Sequence, residues 1–150
     1  MGWTIDDMPD QRGRIALVTG ANSGLGLETT RALLKAGATV LMACRSRRKG
    51  EAARSQLLEL GSSGIDLLHL DLADLSNVDA CSDEVKSRYG RLDLLINNAG
   101  VMAPPRLLSQ QGHEMQWAVN HLGHFALTNA LLPLMEGREQ ARVVLSLIHI

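Results

Sequence analysis

Three glycines in a short polar turn are the first residues whose spacing suggests chemistry. The turn runs Thr19-Gly20-Ala21-Asn22-Ser23-Gly24-Leu25-Gly26 and follows a short apolar run. Gly20 can take a tight turn, Gly24 lets a phosphate approach the backbone, and Gly26 allows a helix to pack close to a strand. A structural turn without a ligand is the alternative, but a position between strand and helix favours phosphate binding. The predicted contacts are Gly20, Asn22, Ser23, Gly24, Leu25 and Gly26.

A single arginine suggests which dinucleotide this turn would take. NAD sites usually place an Asp or Glu about 20 residues after the turn, where it binds a ribose hydroxyl. This sequence has no acidic residue between Glu28 and Glu51, and the second apolar run ends at Arg45. A guanidinium pairs well with a phosphate, so Arg45 predicts NADP (NADPH). A solvated helix start is the favoured interpretation of Arg47, Arg48 and Lys49.

The histidines require a metal site to be considered. His121 and His124 lie three residues apart in a helical pattern, with His113 nearby. No cysteine or carboxylate stands in register with them to complete a ligand set. The sequence therefore predicts no metal, and it predicts that Met115, Trp117 and Phe125 belong to the core or to a pocket wall.

Alternating strand and helix patterns must position these residues. Strands are predicted over 15–18, 39–43, 65–70, 92–96 and 142–145, and helices over 24–36, 49–60, 77–89 and 112–135. Such alternation indicates βαβ units, and right-handed crossovers then produce an α/β fold with a doubly wound parallel sheet between two helical layers. Ligands of such sheets bind beyond the carboxyl ends of the strands.

The helical patterns also predict buried faces and helix ends. The first helix is expected to turn inward Leu25, Thr29, Leu33 and Ala36. The second is expected to bury Ala53, Leu57 and Leu60. Ser76 and Asp79 have the spacing of a capping box for the third helix, and Pro133 is expected to end or kink the fourth.

Composition excludes several functional classes. The chain has 150 residues, 45% hydrophobic and 21% charged, with a formal net charge of -1. That charge gives no attraction for nucleic acid, and no apolar run is long enough to cross a membrane. Two cysteines without CxxC spacing suit a reducing, cytoplasmic setting. We expect a polar lead over 1–12 without signal-peptide features and one partial domain over 13–144.

With these motifs the chain resembles the short-chain dehydrogenases/reductases over about residues 13–144. The resemblance rests on the 19–26 turn, Asp71-Leu72, Asn97-Asn98-Ala99-Gly100 and Asn120. The segments 43–45 and 119–125 are most similar to the branch of retinol dehydrogenase and protochlorophyllide reductase. The resemblance implies a three-layer, Rossmann-like sheet, here ending after about the fifth strand.

The resemblance also implies roles for individual residues. Asp71 would bind the adenine amine and Leu72 would lie beside the ring, while Asn97, Asn98, Ala99 and Gly100 would line the floor of the nucleotide site and brace the central strands. Alternatively, Asp71 is a turn residue that stabilises the next helix. For Asn97 the alternative is a purely structural role in a tight turn. Asn120, unusual inside a helix, would be the catalytic asparagine that holds a water in the proton relay.

The remaining catalytic residues of that family have no counterpart here. Its general acid/base is a tyrosine with a lysine four residues later, since a free phenol with a pKa near 10 is a poor base. The only tyrosine is Tyr89, which is followed by Asp93. The family serine, which orients the substrate oxygen, is expected at positions 147 and 148, but Leu147 and Ile148 stand there. Ser146 is the nearest hydroxyl, and it is out of register with that position. Residues 145–150 match the translation of a sequencing-library transposon end, so we expect an artefactual tail.

These observations predict an NADP-dependent oxidoreductase that transfers hydride to or from a small carbonyl or alcohol substrate. The chain would be its cofactor-binding part and inactive alone, with a homo-oligomer possible. The alternatives are a non-enzymatic NADP-binding or sensing module and a non-functional remnant.

Overall fold

The structure, a computed structural model, describes residue 2 and residues 4–146. The predicted tail therefore lies mostly outside the described residues. The strands are β1 (Ile15–Thr19), β2 (Thr39–Cys44), β3 (Ile65–His69), β4 (Leu94–Asn97) and β5 (Arg142–Leu145). The helices are α1 (Gly24–Lys35), α2 (Arg47–Glu59), α3 (Leu75–Tyr89), α4 (Met115–Trp117) and α5 (Gly123–Leu131).

The five strands form one parallel sheet in the order β3-β2-β1-β4-β5. The chain moves outward from β1 to β3 and then crosses back to place β4 on the other side of β1. This reversal opens a crevice at the carboxyl ends of β1 and β4, where doubly wound sheets bind ligands. The predicted fold class is confirmed.

Alternate residues of β1 divide the core between the two faces of the sheet. Leu17 packs in a cluster with side chains of α3 and α5, among them Val78, Val85, Leu127 and Leu131. Ala16 and Val18 pack on the other face against side chains of α1 and α2, among them Leu33, Leu34, Ala53 and Leu57. Successive strand residues point to opposite faces, so both helical layers are anchored on the same central strand.

Two predicted helix faces were wrong at one position each. Leu25 is 75% exposed, because the buried face of α1 instead begins at Gly26 and continues through Thr30 and Leu33. Gly26 must face the sheet, since only a residue without a Cβ fits there. Leu60 is also exposed, because α2 ends at Glu59.

The third helix begins earlier than predicted. Asp74, not Ser76, caps α3, and its carboxylate accepts a hydrogen bond from the Ser76 backbone N–H at 3.0 Å. The Ser76–Asp79 capping box was therefore wrong. Asp is an effective N-cap, and the spacing alone did not distinguish the two start sites.

The predicted helix over 112–135 is interrupted. It begins at Met115, and a π-helical turn over Ala118–Leu122 separates α4 from α5. A 3-10 turn over Leu132–Leu134 follows, at the position of Pro133. Between residues 4 and 146, no helix is long and apolar enough to cross a membrane.

Candidate functional site

Two neighbouring cavities lie at the carboxyl ends of the strands. The first, the nucleotide cleft, has a volume of about 440 Å³ and lies beside the glycine turn. The second, the helix cavity, has a volume of about 550 Å³ and lies between β5 and the α4–α5 segment. Ala99, Gly100 and Val101 line both. The loop after β4 therefore forms part of the wall of both cavities.

The nucleotide cleft brings together most of the predicted site residues. It is lined by Gly20, Asn22, Ser23, Leu25, Arg45, Asp71, Leu72, Asn98, Ala99 and Gly100. Gly24 and Gly26 shape the turn without lining the cleft. Asn120 lies in the helix cavity. Residues from the ends of β1, β2, β3 and β4 thus meet at one edge of the sheet.

The glycine turn is held by close backbone packing. Gly20 has a φ of +66°, which favours glycine. A Cβ on Gly26 would lie 2.4 Å from the Gly20 carbonyl oxygen and 2.5 Å from the Asn98 side-chain nitrogen. The Asn98 amide also donates to the Thr19 carbonyl oxygen at 3.0 Å. The turns after β1 and β4 are consequently bound to each other through Asn98.

The start of α1 has backbone groups suited to an anion. The Ser23 side chain makes no capping hydrogen bond to the first turn of this helix. A Cβ placed on Gly24, whose φ is +54°, would meet no atom within 4 Å. Uncapped N–H groups and the positive end of the helix dipole favour a negatively charged ligand.

Basic residues follow β2 on the opposite side of the cleft. Arg45 is exposed and lines the cleft beside Ser46 and Lys49. Ser46 caps α2 by accepting from the Lys49 N–H at 3.3 Å. None of the salt bridges formed within residues 4–146 uses Arg45 or Lys49. Lys49 was expected in a solvated helix start, so the structure places it nearer the cleft than predicted.

Asp71 has the structural role considered for it, and it also lines the nucleotide cleft. Its carboxylate accepts from the Ala73 N–H at 2.9 Å, and its own N–H donates to the Asn77 side chain. These bonds fold the turn after β3, as in the structural alternative. Asp71 nevertheless lines the cleft beside Leu72, which is buried against Gly123.

Asn120 is held rigidly in the π-helical turn. Its side-chain oxygen accepts from the Val101 N–H, and its side-chain nitrogen donates to the Val101 carbonyl, each at 2.8 Å. This pair of bonds accounts for an asparagine inside a helix. Its side-chain amide satisfies the backbone N–H and C=O of Val101, in the loop after β4, as a neighbouring strand would. The side chain lines the helix cavity.

The histidines of this segment separate rather than converge. His121 is exposed and stacks on Trp117, with ring centroids 4.2 Å apart. His124 is buried, and burial lowers its pKa. In the described part of the chain, no three His, Cys, Asp or Glu residues are placed to hold a metal ion. Phe125 lines the helix cavity and Met115 packs against the core, as predicted, but the prediction was wrong for Trp117, which is 51% exposed and lines neither cavity.

Tyr89 lies outside both cavities. Tyr89 is the last residue of α3, and its hydroxyl donates to the carboxylate of Asp66 in β3. Burial, followed by the hydrogen bond and charge of Asp66, raises the pKa of Tyr89. A catalytic base needs the opposite shift, and the hydroxyl is bound to Asp66 away from both cavities, so its contacts are those of a structural residue.

Sequence reasoning missed several residues that line or support the site. Thr19, the first residue of the glycine turn, lines the nucleotide cleft, and Ser46 and Lys49 line it from the other side. Asn97 was expected on the floor of the nucleotide site but lines the helix cavity instead, and its side-chain oxygen is buried without a partner among residues 4–146. The Thr19 hydroxyl, directly before Gly20, was a visible signal. The position of Lys49 at the cleft could not be predicted, because it depends on the direction in which α2 leaves the end of β2.

The amino-acid sequence is similar to a family of known proteins. The family model described as short chain dehydrogenase matches residues 14–146. Retinol dehydrogenase 14 of Mus musculus is 46% identical over 143 residues, covering 88% of this chain and 43% of that protein. A short-chain dehydrogenase/reductase of Armillaria gallica is 42% identical over 147 residues, covering 95% of this chain and 48% of that protein. The chain thus spans less than half the length of these relatives.

Solved structures agree with this relationship. An uncharacterized protein from Mycobacterium Paratuberculosis superposes with a TM-score of 0.81 at 48% identity, covering 89% of this chain and 47% of that one. Pseudomonas aeruginosa RhlG in a complex with NADP has a TM-score of 0.76 at 29% identity, covering 89% and 52%. A Burkholderia phymatum short chain dehydrogenase/reductase in complex with NAD has a TM-score of 0.76 at 26% identity, covering 91% and 49%. This chain belongs to the short-chain dehydrogenase/reductase family of oxidoreductases.

Proposed function

We propose that this chain is the NADP-binding part of an oxidoreductase that transfers hydride between nicotinamide and a carbonyl or alcohol substrate. The observation that carries the proposal is the position of Arg45 after β2, in the same cleft as the glycine turn. The sequence has no acidic residue from 29 to 50 to bind a free ribose hydroxyl. Since the solved neighbours include both NADP and NAD complexes, the preference for NADP rests on this basic residue.

The residues of the nucleotide cleft fit the chemistry of a dinucleotide. The uncapped start of α1 offers N–H groups to a pyrophosphate. Arg45 and Lys49 offer positive charge to a 2′-phosphate, and Asp71 and Leu72 offer an acceptor and an apolar surface to adenine. Bound NADPH would supply the hydride. Asn98, Ala99 and Gly100 would then position the nucleotide toward the helix cavity.

The helix cavity is the proposed place of the substrate carbonyl. Asn120 is the catalytic residue proposed there, and the two bonds to the Val101 backbone hold its side chain in place. Tyr89 is excluded as the acid/base, and Asp93 stands where a lysine would follow it. We therefore expect residues 1–150 alone to bind NADPH without using it. The free, buried Cys44 and Cys81 suit a reducing, cytoplasmic setting.

Titration with NADPH and NADH tests this proposal. Arg45→Gln should weaken NADPH binding about 10- to 100-fold, the value of one charge-assisted phosphate contact, and leave NADH binding unchanged. Arg48→Gln, an exposed change three residues later in α2 and outside the cleft, is the matched control. Equal losses for both nucleotides, or none for NADPH, would contradict the role of Arg45.

A turnover assay separates an enzyme fragment from a binding module. NADPH oxidation by residues 1–150 with a panel of carbonyl compounds would refute the expected inactivity. NADPH binding without turnover would also fit a non-enzymatic NADP-binding module, which the position of Tyr89 favours. An active longer reading frame containing Tyr-x-x-x-Lys would decide for the enzyme.

A further inference from the structure

His124 occupies an unusual place between the two cavities. It is the second residue of α5, it is 6% exposed, and it lines the helix cavity. Gly123 brings this part of the helix onto the loop after β3, because a Cβ at that position would lie 2.4 Å from the Leu72 carbonyl oxygen. This close approach carries the imidazole to the end of β1.

The Thr19 hydroxyl determines how that imidazole is protonated. The Thr19 Oγ1 accepts two hydrogen bonds, from the Asn98 and Ala99 N–H groups, each at 2.9 Å. Its single proton is then left to donate. The His124 Nε2 lies 2.9 Å away, whereas the Ile96 carbonyl lies 3.5 Å away. The shorter contact makes Nε2 an acceptor.

With Nε2 accepting, the proton of a neutral imidazole is on Nδ1. The Nδ1 lies 3.3 Å from the Asn120 carbonyl oxygen, to which it can donate. A continuous chain of hydrogen bonds results, from the Asn98 and Ala99 backbone through Thr19 and His124 to the peptide of Asn120. Burial lowers the pKa of His124 and so favours the neutral ring that this chain requires.

We propose that His124 is a positioning residue, which fixes the glycine turn and the Asn120 peptide relative to each other through Thr19. Thr19 directly precedes Gly20, and Asn98 and Ala99 line the nucleotide cleft. Loss of the imidazole would free the Thr19 hydroxyl to rotate toward Ile96 and would loosen both turns. The nucleotide-binding consequence rests on the proposed function, whereas the hydrogen-bond chain does not.

Nitrogen-15 NMR of the histidine rings tests the hydrogen-bond chain by itself. At pH 7 the His124 ring of residues 1–150 should show the neutral tautomer protonated on Nδ1. Thr19→Val should remove the Nε2 partner and shift that nitrogen, while the exposed His113 ring stays unchanged. A tautomer protonated on Nε2, or an imidazolium, would overturn the inference whether or not the chain binds nucleotide.

Substitution then tests the consequence for binding. His124→Phe should weaken NADPH binding about tenfold, the effect of one neutral hydrogen bond. His124→Gln, whose side-chain oxygen can accept from Thr19 in place of Nε2, should restore affinity to within about threefold of the parent. His113→Gln is the control.

The outcomes distinguish this inference from the proposed function. Equal losses for the Phe and Gln variants, or parental affinity for Phe, would overturn the positioning role. If the parent chain binds no NADPH, the proposed function fails and the ring tautomer alone decides about His124. If the Phe variant does not fold, the Gln variant and the tautomer still decide.

Discussion

The contact between the turns after β1 and β4 depends on one missing Cβ. A Cβ at Gly26 would overlap both the Gly20 carbonyl and the Asn98 side-chain amide. Neither neighbour can move away easily, because the Gly20 oxygen belongs to the backbone and the Asn98 side-chain amide is hydrogen-bonded to the Thr19 carbonyl. The residue type at position 26 is therefore set by packing as well as by any ligand.

Gly26→Ala should destabilise the fold by about 1–3 kcal/mol, as overpacking does in a tight interior. Gly24→Ala is the informative comparison, because its Cβ would meet open space and only the positive φ is strained. We expect a cost of about 1 kcal/mol there. Urea unfolding measures both. Equal free energies of unfolding for the two variants would contradict the steric explanation.

At the scale of elements, one buried carboxylate clamps the amino ends of three strands. The Asp93 side chain accepts from the Ile15 N–H at 2.8 Å and from Arg138 at 2.7 and 2.6 Å. Its backbone carbonyl accepts from the Arg142 N–H at 3.0 Å. Asp93 thus ties the starts of β1 and β5 to the segment that enters β4.

This clamp should make stability depend on pH in the acidic range. Desolvation raises the pKa of Asp93, but the Ile15 N–H and Arg138 outweigh it, so the net shift is downward. Because the pKa is lower in the folded state, the ionised carboxylate stabilises the fold at pH values above its unfolded pKa, which is near 4. This stabilisation is lost as the pH falls through the folded pKa.

Asp93→Asn should therefore cost about 1–3 kcal/mol at pH 7 and progressively less below pH 4. Asp83→Asn, in an exposed pair with Lys86, should change stability by under about 0.5 kcal/mol at either pH. Urea midpoints at pH 7 and pH 3.5 provide the measurement. A penalty for Asp93→Asn that is independent of pH would refute the ionic clamp.

At the scale of the whole molecule, β5 is an edge strand with exposed apolar residues. It pairs only with β4 among the described strands, and Val143, Val144 and Leu145 are 38%, 45% and 62% exposed. An apolar edge offers unpaired backbone groups to another chain. Phe125, which is 62% exposed nearby, extends this apolar surface.

Residues 1–150 should accordingly self-associate in solution. Val144→Lys, which adds a charge to the edge, should shift the population toward monomer. Leu58→Lys removes a comparably exposed apolar residue from α2, away from the edge, and should leave association unchanged. Sedimentation velocity over a range of concentrations gives the answer. A monodisperse monomer with an unmodified edge would refute this prediction.

Local patterns in the sequence were sufficient for the elements, the sheet and most of the nucleotide cleft. Strand and helix periods, the glycine turn and Arg45 depend on neighbouring residues, whose spacing is visible in the chain. The parallel order of the strands then follows from general rules of handedness. For the same reason, ten predicted residues from four strand ends could be expected at one edge.

Only the tertiary structure decided which groups meet across the crevice. The inward position of Gly26 instead of Leu25 depends on Gly20 and Asn98, and the position of His124 depends on the π-helical turn and on Gly123. The partners Thr19 and His124 are 105 residues apart. No local spacing encodes such a contact, because it forms only when the helix packs against the sheet.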